Sequence, residues 1–467
     1  MTIWRPRREE LRRPVYRSLA QSLIAAVEAG LMAPGTRLPT HRALAYDLGL
    51  SVQTVSRAYD ELARLGVITG AVGRGSFVAK GPVDARPPWH RPPASESIID
   101  CSMLVPVTGA IHEQRVAAVL AGLAADLPLA ALLSFRPRET LRAHCEQARA
   151  WLEGCGLTLD ADRLLPTNGN TSAMTVALMT AAVPGDLVAT EAMGHHTLPS
   201  LTATLGLRLA GLAMDREGVL PDAFDRLCRA TSVRALYLQP AGLGATAALM
   251  GLERRRALTA LARQHDVWLI ENDAWGPLQA GRPPPLAALA PERTFYFTGL
   301  TKCLLPGLRI AWLAVPERMI PAARTRHLVT SWMATALMAE IASRWIADGT
   351  AAELLLWQRQ QLARRNAMAS RLLAGIAHEA TPYGLHVWLP LPEPRSPAPW
   401  SEAAFVAHAR HYRVAVAAGS SFAIGDQPRA QGIRICLGAG SEADLEEGLA
   451  VIARLATSRP EPALLAV

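Results

Sequence analysis

Residues 294–312 read TFYFTGLTKCLLPGLRIAW, and this stretch decides how the larger part of the chain is interpreted. One apolar, β-branched run ends near Gly299 and another begins at Ile310, so the residues between them are predicted to follow the end of a strand. Lys302 lies in that gap, and Arg309 follows seven residues later. A neutral lysine amine condenses with an aldehyde, whereas arginine cannot. The stretch therefore predicts an aldehyde-reactive amine beside a group that suits phosphate.

Lysine is almost absent elsewhere in the chain. Of 48 basic residues only Lys80 and Lys302 are lysines, and the other 46 are arginines. A position that remains lysine in such a background is a candidate for chemistry that guanidinium cannot perform. Neither lysine follows a glycine, which excludes a Walker A loop. Lys80 receives no role beyond possible phosphate contact.

Length and composition indicate two or three globular domains. The chain has 467 residues, of which half are apolar and 19% are charged, a balance typical of folded proteins. No apolar run reaches the roughly 20 residues that span a bilayer, and the first residues lack the apolar core of a signal peptide. Six scattered cysteines without zinc or C-x-x-C spacing favour a reducing cytoplasm and predict no metal site.

Positive charge is concentrated at the N-terminal end. Residues 1–80 hold 12 basic and 6 acidic side chains, and the other 387 residues hold 36 and 34. A basic module on a nearly neutral body predicts a polyanionic partner, although a solvated charged surface is the alternative. Residues 81–97, GPVDARPPWHRPPASES, form a proline-rich linker. We therefore place domains at 1–80 and 98–467.

The N-terminal module predicts a winged helix-turn-helix. A helical stripe covers residues 16–29, Thr40 caps a second helix that ends at Gly49, and Ser51 caps a third. Residues 67–79, VITGAVGRGSFVA, alternate about a glycine turn as a two-stranded wing does. The apolar face of the third helix is predicted to comprise Val52, Val55, Tyr59, Leu62 and Leu65. This order places the third helix as the reader of a DNA major groove.

The polar residues of this module are candidate contacts to double-stranded operator DNA, although each could be an ordinary solvent-facing side chain. For base edges we predict Gln53, Thr54 and Arg57, and for phosphates or the minor groove Arg37, Arg42 and Arg74. The capping residues Thr40 and Ser51 and the wing-tip Gly75 complete the set. Residues 35–78, GTRLPTHRALAYDLGLSVQTVSRAYDELARLGVITGAVGRGSFV, resemble the DNA-binding domain of GntR-type regulators, and the resemblance covers residues 11–80.

Beyond the linker the pattern predicts an α/β domain with a largely parallel sheet. Apolar runs at 233–240, 267–273 and 294–300 alternate with helical stretches. Asp273 ends the second of these runs, where a carboxylate could pair with a protonated ring nitrogen or simply begin a turn. Upstream, residues 166–174, PTNGNTSAM, predict a glycine turn before a helix. Backbone amides there could bind a phosphate, or the turn could be a plain helix cap.

The order of these motifs resembles the fold-type I pyridoxal-phosphate enzymes of the aspartate aminotransferase class, across residues 98–455. The resemblance implies a large α/β domain with a smaller C-terminal α+β subdomain, and pyridoxal 5'-phosphate (PLP) as cofactor. It implies that Lys302 carries the cofactor's imine, that Asp273 pairs with the ring nitrogen and that Arg434, in GIRICLGA, holds a substrate carboxylate. A surface arginine is the alternative for Arg434. The resemblance also implies a phosphate site and a stacking aromatic position, comprising Asn170, Thr171, Thr301, Arg309 and His195. His195 could instead be a loop histidine.

A GntR-type head on such a tail resembles the MocR subfamily of transcriptional regulators. The resemblance implies that PLP, free or joined to an amino compound, is the effector, and that the protein is a head-to-tail homodimer. The sequence departs from the enzyme pattern at Gly244, where an asparagine is usual, at Trp275, where a tyrosine is usual, and at Gly299 in place of serine. These departures favour a sensor over a transaminase. A bifunctional protein and a regulator with a decayed site remain the alternatives.

Overall fold

A computed structural model describes most of the chain. In the N-terminal part it describes residues 4, 6–8, 11–12, 14–28, 31–33, 35–64, 67–71 and 75–78, and after them residues 98–126, 128–133, 137–242, 244–391, 400–425 and 430–458. The chain divides into two compact units, Met1–Glu96 and Ser97–Val467. The predicted linker at 81–97 lies outside the described residues.

The first unit is a three-helix bundle with a small antiparallel ribbon. Its elements are α1 (Val15–Glu28), α2 (His41–Leu48), α3 (Val52–Arg64), β1 (Ile68–Ala71) and β2 (Gly75–Val78). Apolar residues of the three helices form one buried cluster that includes Leu19, Leu23, Leu44 and Val55. Val52 was predicted on this buried face, but its side chain is 47% exposed. Val52 is the first residue of α3, and this end of the helix extends past the buried cluster into solvent.

The second unit contains thirteen helices and fifteen strands in the described residues. The helices are α4 (Ala110–Ala125), α5 (Leu129–Leu132), α6 (Pro137–Gly154), α7 (Asn170–Ala181), α8 (Leu198–Thr204), α9 (Pro221–Ala230), α10 (Leu252–Gln264), α11 (Leu286–Leu289), α12 (Ile320–Ser331), α13 (Ala336–Ala347), α14 (Thr350–Leu372), α15 (Glu402–His411) and α16 (Glu442–Thr457). The strands are β3 (Ile99–Asp100), β4 (Leu164–Thr167), β5 (Leu187–Glu191), β6 (Arg208–Leu212), β7 (Met214–Asp215), β8 (Gly218–Val219), β9 (Val233–Leu238), β10 (Trp268–Asn272), β11 (Thr294–Gly299), β12 (Ala311–Ala314), β13 (Glu379–Ala380), β14 (His386–Pro390), β15 (Val414–Ala415), β16 (Ala417–Ala418) and β17 (Gly432–Cys436).

A seven-stranded sheet organises this unit, in the order β4-β12-β11-β10-β9-β5-β6. Neighbours from β11 to β6 are parallel, and β12 is antiparallel to both of its neighbours. Nearly every residue of the central strands is buried, as expected for a sheet covered on both faces. The predicted α/β class with a largely parallel sheet is therefore confirmed. The carboxyl ends of parallel strands share one edge of such a sheet, which is where ligands bind in this class.

A smaller α+β part follows at the C-terminal end, as the resemblance to fold-type I enzymes implies. Its sheet has the order β13-β14-β17-β16, with antiparallel pairs throughout. Helices α14, α15 and α16 contribute to its apolar core. The short strand β3, near the start of the second unit, pairs with β15 and so ties residues 99–101 to this part.

No helix among the described residues is long and apolar enough to cross a membrane. All six cysteines lie in described positions and none is in a disulfide.

Candidate functional site

The N-terminus of α7 forms an anion cradle together with Arg309. The helix begins at Asn170 after Gly169, which has a positive φ of 84° and provides no side-chain cap. The first amides of a helix have no partner inside it, and they attract anions. The Arg309 guanidinium lies beside this turn, because a Cβ added at Gly169 would be 2.9 Å from Arg309 Nη2. Arg309 itself adopts a left-handed conformation with φ of 47°.

Polar atoms without partners surround the cradle. Among the described residues, Asn170 Oδ1 and Thr301 Oγ1 are buried and make no hydrogen bond. Gly299 allows the Asn170 side chain to pack against the end of β11, since a Cβ there would be 2.9 Å from Asn170 Oδ1 and 2.7 Å from the Ile310 carbonyl oxygen. The glycine at this position is thus required by space. Buried polar groups normally have partners, so this cluster fits a polar ligand.

Lys302 lies in the loop after β11 and is largely buried. Its Nζ donates a hydrogen bond to the carbonyl oxygen of Leu104. Burial lowers the pKa of Lys302 to about 8, with further lowering by the positive charges of Arg434 and Arg309 and an opposing effect of Cys436. An amine with this pKa is neutral in about one molecule in ten at pH 7, and the neutral form is the nucleophilic one.

Arg434 faces the same region from β17. It is only 8% exposed, although one of its nitrogens, Nε, has no described partner. Its Nη2 donates to the Ser102 carbonyl oxygen at 3.1 Å, and its guanidinium lies 4.4 Å from the centre of the Phe422 ring. A buried arginine held by a single neutral carbonyl retains donors for a carboxylate.

Residues 102–105, which we call the bridging segment, connect Lys302 and Arg434. The carbonyl of Ser102 binds Arg434 and that of Leu104 binds Lys302. The segment also passes tightly over Gly438, where a Cβ would lie 1.7 Å from the Val105 carbonyl oxygen. One short stretch of backbone therefore contacts both cationic groups.

His195 lies close to these cations in the loop after β5. Its ring stacks on His196 with centroids 4.7 Å apart, and Nδ1 lies 2.8 Å from Thr197 Oγ1. Burial, and then the charges of His196, Lys302 and Arg434, hold the pKa of His195 well below its ordinary value. The ring is therefore neutral, which suits an aromatic that stacks on a ligand.

Asp273 does not join this group. Strand β10 ends at Asn272, one residue before the predicted end, and side chains alternate between the faces of a strand. Arg282 Nη1 lies 2.6 Å from Asp273 Oδ1, and the Tyr296 hydroxyl donates to Oδ2. Both carboxylate oxygens are thus engaged in a separate buried cluster, and the predicted pairing of Asp273 with a ring nitrogen does not agree with this geometry.

Asn272 is the residue that sequence reasoning missed. Its Nδ2 donates to the Tyr237 hydroxyl at 2.7 Å, and Tyr237 is in edge contact with His195, at 6.5 Å between centroids. Ile270, two residues earlier on the same face of β10, packs in the apolar core beneath α7. Its position at the end of a predicted strand could have identified Asn272 as a candidate. Asp273 was preferred because a carboxylate is the usual partner of a protonated ring nitrogen.

Trp275 and Gly244 lie near a second buried histidine. The Trp275 ring is fully buried in edge contact with His386, at 5.9 Å between centroids, and its Nε1 has no described partner. Neither ring nitrogen of His386 makes a hydrogen bond of normal geometry within the described residues. Space is open at Gly244, since a Cβ there meets no atom within 4 Å.

In the first unit the predicted caps form as expected. Thr40 accepts a hydrogen bond from the amide of Ala43 at 3.2 Å, and Ser51 accepts one from the amide of Thr54 at 3.1 Å. The Ser51 and Thr54 hydroxyls also bond each other at 2.8 Å. These bonds fix the first turns of α2 and α3.

The predicted DNA contacts are distributed over α2, α3 and the ribbon. Arg42 and Gln53 are exposed, while the Arg57 guanidinium stacks 4.3 Å from the centre of the Tyr16 ring. Arg37 pairs with the ribbon and lies beside Gly75, where a Cβ would be 3.3 Å from its Nε. The structure therefore brings Arg37 and Gly75 together. Arg74 lies outside the described residues.

Comparison with protein families divides the chain in the same way. Residues 15–78 match the family "Bacterial regulatory proteins, gntR family" and residues 131–452 match "Aminotransferase class I and II". The second match covers more than half of the chain.

Several relatives that match two thirds or more of the chain are transcriptional or catabolic regulators by name. The chain is 26% identical to the HTH-type transcriptional regulator YdeF of Bacillus subtilis, over 97% of this chain and 96% of YdeF. It is 26% identical to the pyridoxine biosynthesis transcriptional regulator PdxR of Corynebacterium glutamicum, over 68% of this chain and 72% of PdxR. It is 24% identical to the probable rhizopine catabolism regulatory protein MocR of Rhizobium meliloti, over 75% and 76% of the two chains.

Solved structures resemble the second unit. An archaeal alanine:glyoxylate aminotransferase superposes with a TM-score of 0.71 at 21% identity, covering 77% of this chain and 91% of that one. The α-aminoadipate aminotransferase LysN of Thermus thermophilus, solved with N-(5'-phosphopyridoxyl)-L-leucine, superposes with a TM-score of 0.68 at 20% identity, covering 77% and 92%. The chain thus belongs to the aminotransferase class I and II family, and its GntR-type head makes it a GntR-type regulator similar to PdxR and MocR.

Proposed function

We propose that this GntR-type regulator binds operator DNA as a homodimer, and that its large domain binds PLP, alone or joined to an amino compound, and alters operator binding in response. The observation that carries the proposal is the environment of Lys302. A largely buried amine with a pKa of about 8 is held near Arg309 and Arg434, which suit a phosphate and a carboxylate. This ligand class is supported by the similarity to PdxR, a regulator of pyridoxine biosynthesis, and to LysN, which was solved with N-(5'-phosphopyridoxyl)-L-leucine.

The residues present fit the cofactor's phosphate. The free amides of α7 and the Arg309 guanidinium would hold the phosphate at the cradle beside Gly169, and the buried hydroxyl of Thr301 would complete its hydrogen bonds. The neutral ring of His195 would stack on the cofactor's ring. When bound, PLP supplies an aldehyde that condenses with a primary amine and releases one water.

The amine of Lys302 and the guanidinium of Arg434 would then bind the reactive ends of the ligand. Lys302 acts in its neutral form, which its lowered pKa provides. Arg434 would hold the carboxylate of an amino compound through two parallel N–H donors. Arg309 would bind the phosphate and Arg434 the carboxylate, so each anionic end of the ligand would have its own arginine.

The bridging segment supplies a route from the ligand to the head. With PLP bound, the Lys302 amine would give up both of its hydrogens to the water released on condensation, and it could then no longer donate to the Leu104 carbonyl oxygen. A carboxylate at Arg434 competes with the Ser102 carbonyl and forms the stronger, charge-assisted bond. Both steps would release the bridging segment, which is separated from the predicted linker only by residues 98–101. Ligand binding thereby changes the stretch of chain that leads to the DNA-binding domain.

The proposal favours sensing over turnover. Relatives that are similar over most of the chain are named as regulators, whereas the solved aminotransferases share the fold at about a fifth identity. A decayed site is not favoured, because Lys302, Arg309 and Arg434 lie near one another with donors available.

The test is covalent trapping of PLP on the full chain. Purified protein is incubated with PLP, reduced with borohydride and digested, and the modified peptide is located by mass spectrometry. The proposal expects modification at Lys302 in wild type and none at that position in Lys302→Ala. A matched control, Lys80→Ala, should leave trapping unchanged. Absence of any modification at Lys302 in wild type would overturn the proposal.

A further inference from the structure

We propose that Asn272, an uncharged amide, is the partner of the cofactor's ring nitrogen, and that it keeps this nitrogen unprotonated. The inference rests on the proposed PLP site and deepens it. It explains in one residue why the large domain senses its ligand without turning it over. The argument starts from the orientation of the amide.

Backbone geometry fixes which end of the Asn272 amide points where. Oδ1 accepts the backbone N–H of Ala274 at 3.1 Å, and a backbone N–H can only donate. The nitrogen end is therefore the other one, and it donates to the Tyr237 hydroxyl at 2.7 Å. Burial raises the pKa of Tyr237 above its ordinary range, so this hydroxyl retains its proton.

One donor of Asn272 is left for a ligand. An amide nitrogen carries two N–H groups, and among the described residues only Tyr237 accepts from it. Asn272 is 2% exposed, so an unused donor there is costly unless a ligand accepts from it. An N–H donor matches a ring nitrogen that has a lone pair, and it opposes one that carries a proton.

Position agrees with this role. Tyr237, which Asn272 binds, contacts the ring of His195, and His195 lies within electrostatic reach of Lys302. Asp273, the carboxylate one residue later, instead satisfies Arg282 and Tyr296 in its own buried cluster. The ring of a ligand between His195 and the end of β10 therefore meets the amide and no carboxylate of this strand.

The chemical consequence concerns electron withdrawal. A carboxylate at this position holds a proton on the ring nitrogen, and the positive charge makes the ring an electron sink. Asn272 cannot hold that proton, because an amide is not basic. Loss of the α-proton from a bound amino compound is then poorly supported, while covalent binding at Lys302 and carboxylate binding at Arg434 are retained. The result is a ligand that binds and remains intact.

The experiment compares Asn272→Asp with wild type in the full chain loaded with PLP. The first readout is the pH dependence of the cofactor's absorbance, and the second is conversion of the cofactor to its amine form with L-alanine. We expect Asn272→Asp to shift the midpoint of the absorbance titration toward lower pH, because a protonated ring withdraws electrons from the nitrogen attached to it and makes that nitrogen less basic. We also expect it to raise the conversion rate at least about tenfold, which corresponds to about 1.4 kcal/mol of barrier. The control Tyr296→Phe removes a hydrogen bond to Asp273 and should change neither readout.

Asp273→Asn separates the two candidate partners. The inference expects it to lower stability, since Arg282 loses its charged partner, and to leave the absorbance titration unchanged in the folded fraction. Identical titrations for wild type and Asn272→Asp, or a large spectral change in Asp273→Asn or Tyr296→Phe alone, would overturn the inference while PLP binding stands. Absence of trapped PLP at Lys302 in every variant would overturn the inference and the proposed function together.

Discussion

The amine of Lys302 donates a hydrogen bond to the carbonyl oxygen of Leu104, near the start of the large unit. Two residues earlier the Ser102 carbonyl binds Arg434. The two cationic groups proposed to meet the ligand are therefore both held by one stretch of backbone, and this arrangement motivates the first two predictions.

Attachment of PLP to Lys302 is expected to accelerate as pH rises toward 8. Burial lowers the pKa of this amine from 10.5 to about 8, and only the neutral amine condenses. At pH 7 about one molecule in ten then carries a neutral amine, against fewer than one in a thousand at the ordinary pKa. The rate is measured by stopped-flow absorbance between pH 6 and 9 at a fixed PLP concentration. Below the midpoint it should rise about tenfold per pH unit.

Arg434→Met provides a matched variant for this titration, because it removes a positive charge that lowers the pKa of Lys302. Its midpoint should move to higher pH. A flat rate profile in wild type, or a midpoint near 10, would contradict the description of the buried amine.

Ligand binding is expected to release the bridging segment. Hydrogen exchange at the amides of residues 103–105 should speed up when PLP and an amino acid are added, because both carbonyl anchors of this segment are replaced. Amides of β10, in the centre of the sheet, serve as the internal control and should not change.

Gly438→Ala tests the same segment without ligand. A Cβ at this position would lie 1.7 Å from the Val105 carbonyl oxygen, so the segment must move, and we expect a loss of about 1–3 kcal/mol in the free energy of unfolding. Gly375→Ala, where a Cβ meets no atom within 4 Å, is a comparison for added bulk, although its positive φ of 80° carries its own strain.

For the hydrogen-exchange experiment, slower exchange at residues 103–105 in the liganded protein would argue against release of the bridging segment.

The fold was largely predictable from local patterns, and the site was predictable in part. Alternating apolar runs and helices identified β9, β10 and β11, and the rare lysine identified Lys302. The proposed partner of the ring nitrogen, Asn272, was not predictable, because an error of one residue at the end of β10 exchanges the two faces of the strand. The partners that occupy Asp273, Arg282 and Tyr296, lie 9 and 23 residues away and become neighbours only in the folded chain.

The bridging segment shows a second limit of sequence reasoning. Its functional atoms are main-chain carbonyls, which every residue has, so no side-chain pattern marks them. The bond between Lys302 and Leu104 spans 198 residues and that between Arg434 and Ser102 spans 332. Contacts of this separation depend on how the sheets pack together.

Glu191 is expected to make stability depend on pH. It is 4% exposed and accepts the amide of Gln239 at 2.6 Å, and burial raises its pKa from 4.5 to about 7. Because the folded pKa exceeds the unfolded one, the folded state binds more protons between these values, and stability falls as pH rises through that window.

Glu191→Gln removes this titration. The variant should match wild type near pH 5 and exceed it by up to about 3 kcal/mol near pH 8, as measured by urea unfolding at both pH values. Glu253→Gln, a substitution at a side chain that is 83% exposed, should show no such difference. If Glu191→Gln changed the free energy of unfolding equally at pH 5 and pH 8, the buried Glu191 carboxyl would not be the source of the pH dependence of stability.

The head is expected to read DNA through α3 and to bind phosphate through α2. Arg57→Ala should weaken operator binding by about 1–3 kcal/mol, and Arg42→Ala should also reduce the salt slope by about one. Tyr16→Leu removes the ring on which Arg57 stacks and should weaken binding less than Arg57→Ala does. Fluorescence anisotropy across a salt series measures all three.

Arg216→Ala is the charge-matched control for that series, since Arg216 is 94% exposed in the large unit. It should leave the operator affinity unchanged. An Arg42→Ala protein with the wild-type salt slope would remove Arg42 from the phosphate contacts.

The most direct test of the central claim is the operator affinity of the full chain, measured by fluorescence anisotropy with and without saturating PLP and an amino acid, in wild type and in Lys302→Ala. The account predicts that the ligands change the affinity of wild type severalfold and leave Lys302→Ala unchanged. An affinity that is the same with and without the ligands in wild type, or that responds equally in Lys302→Ala, would contradict a regulator that senses PLP through Lys302.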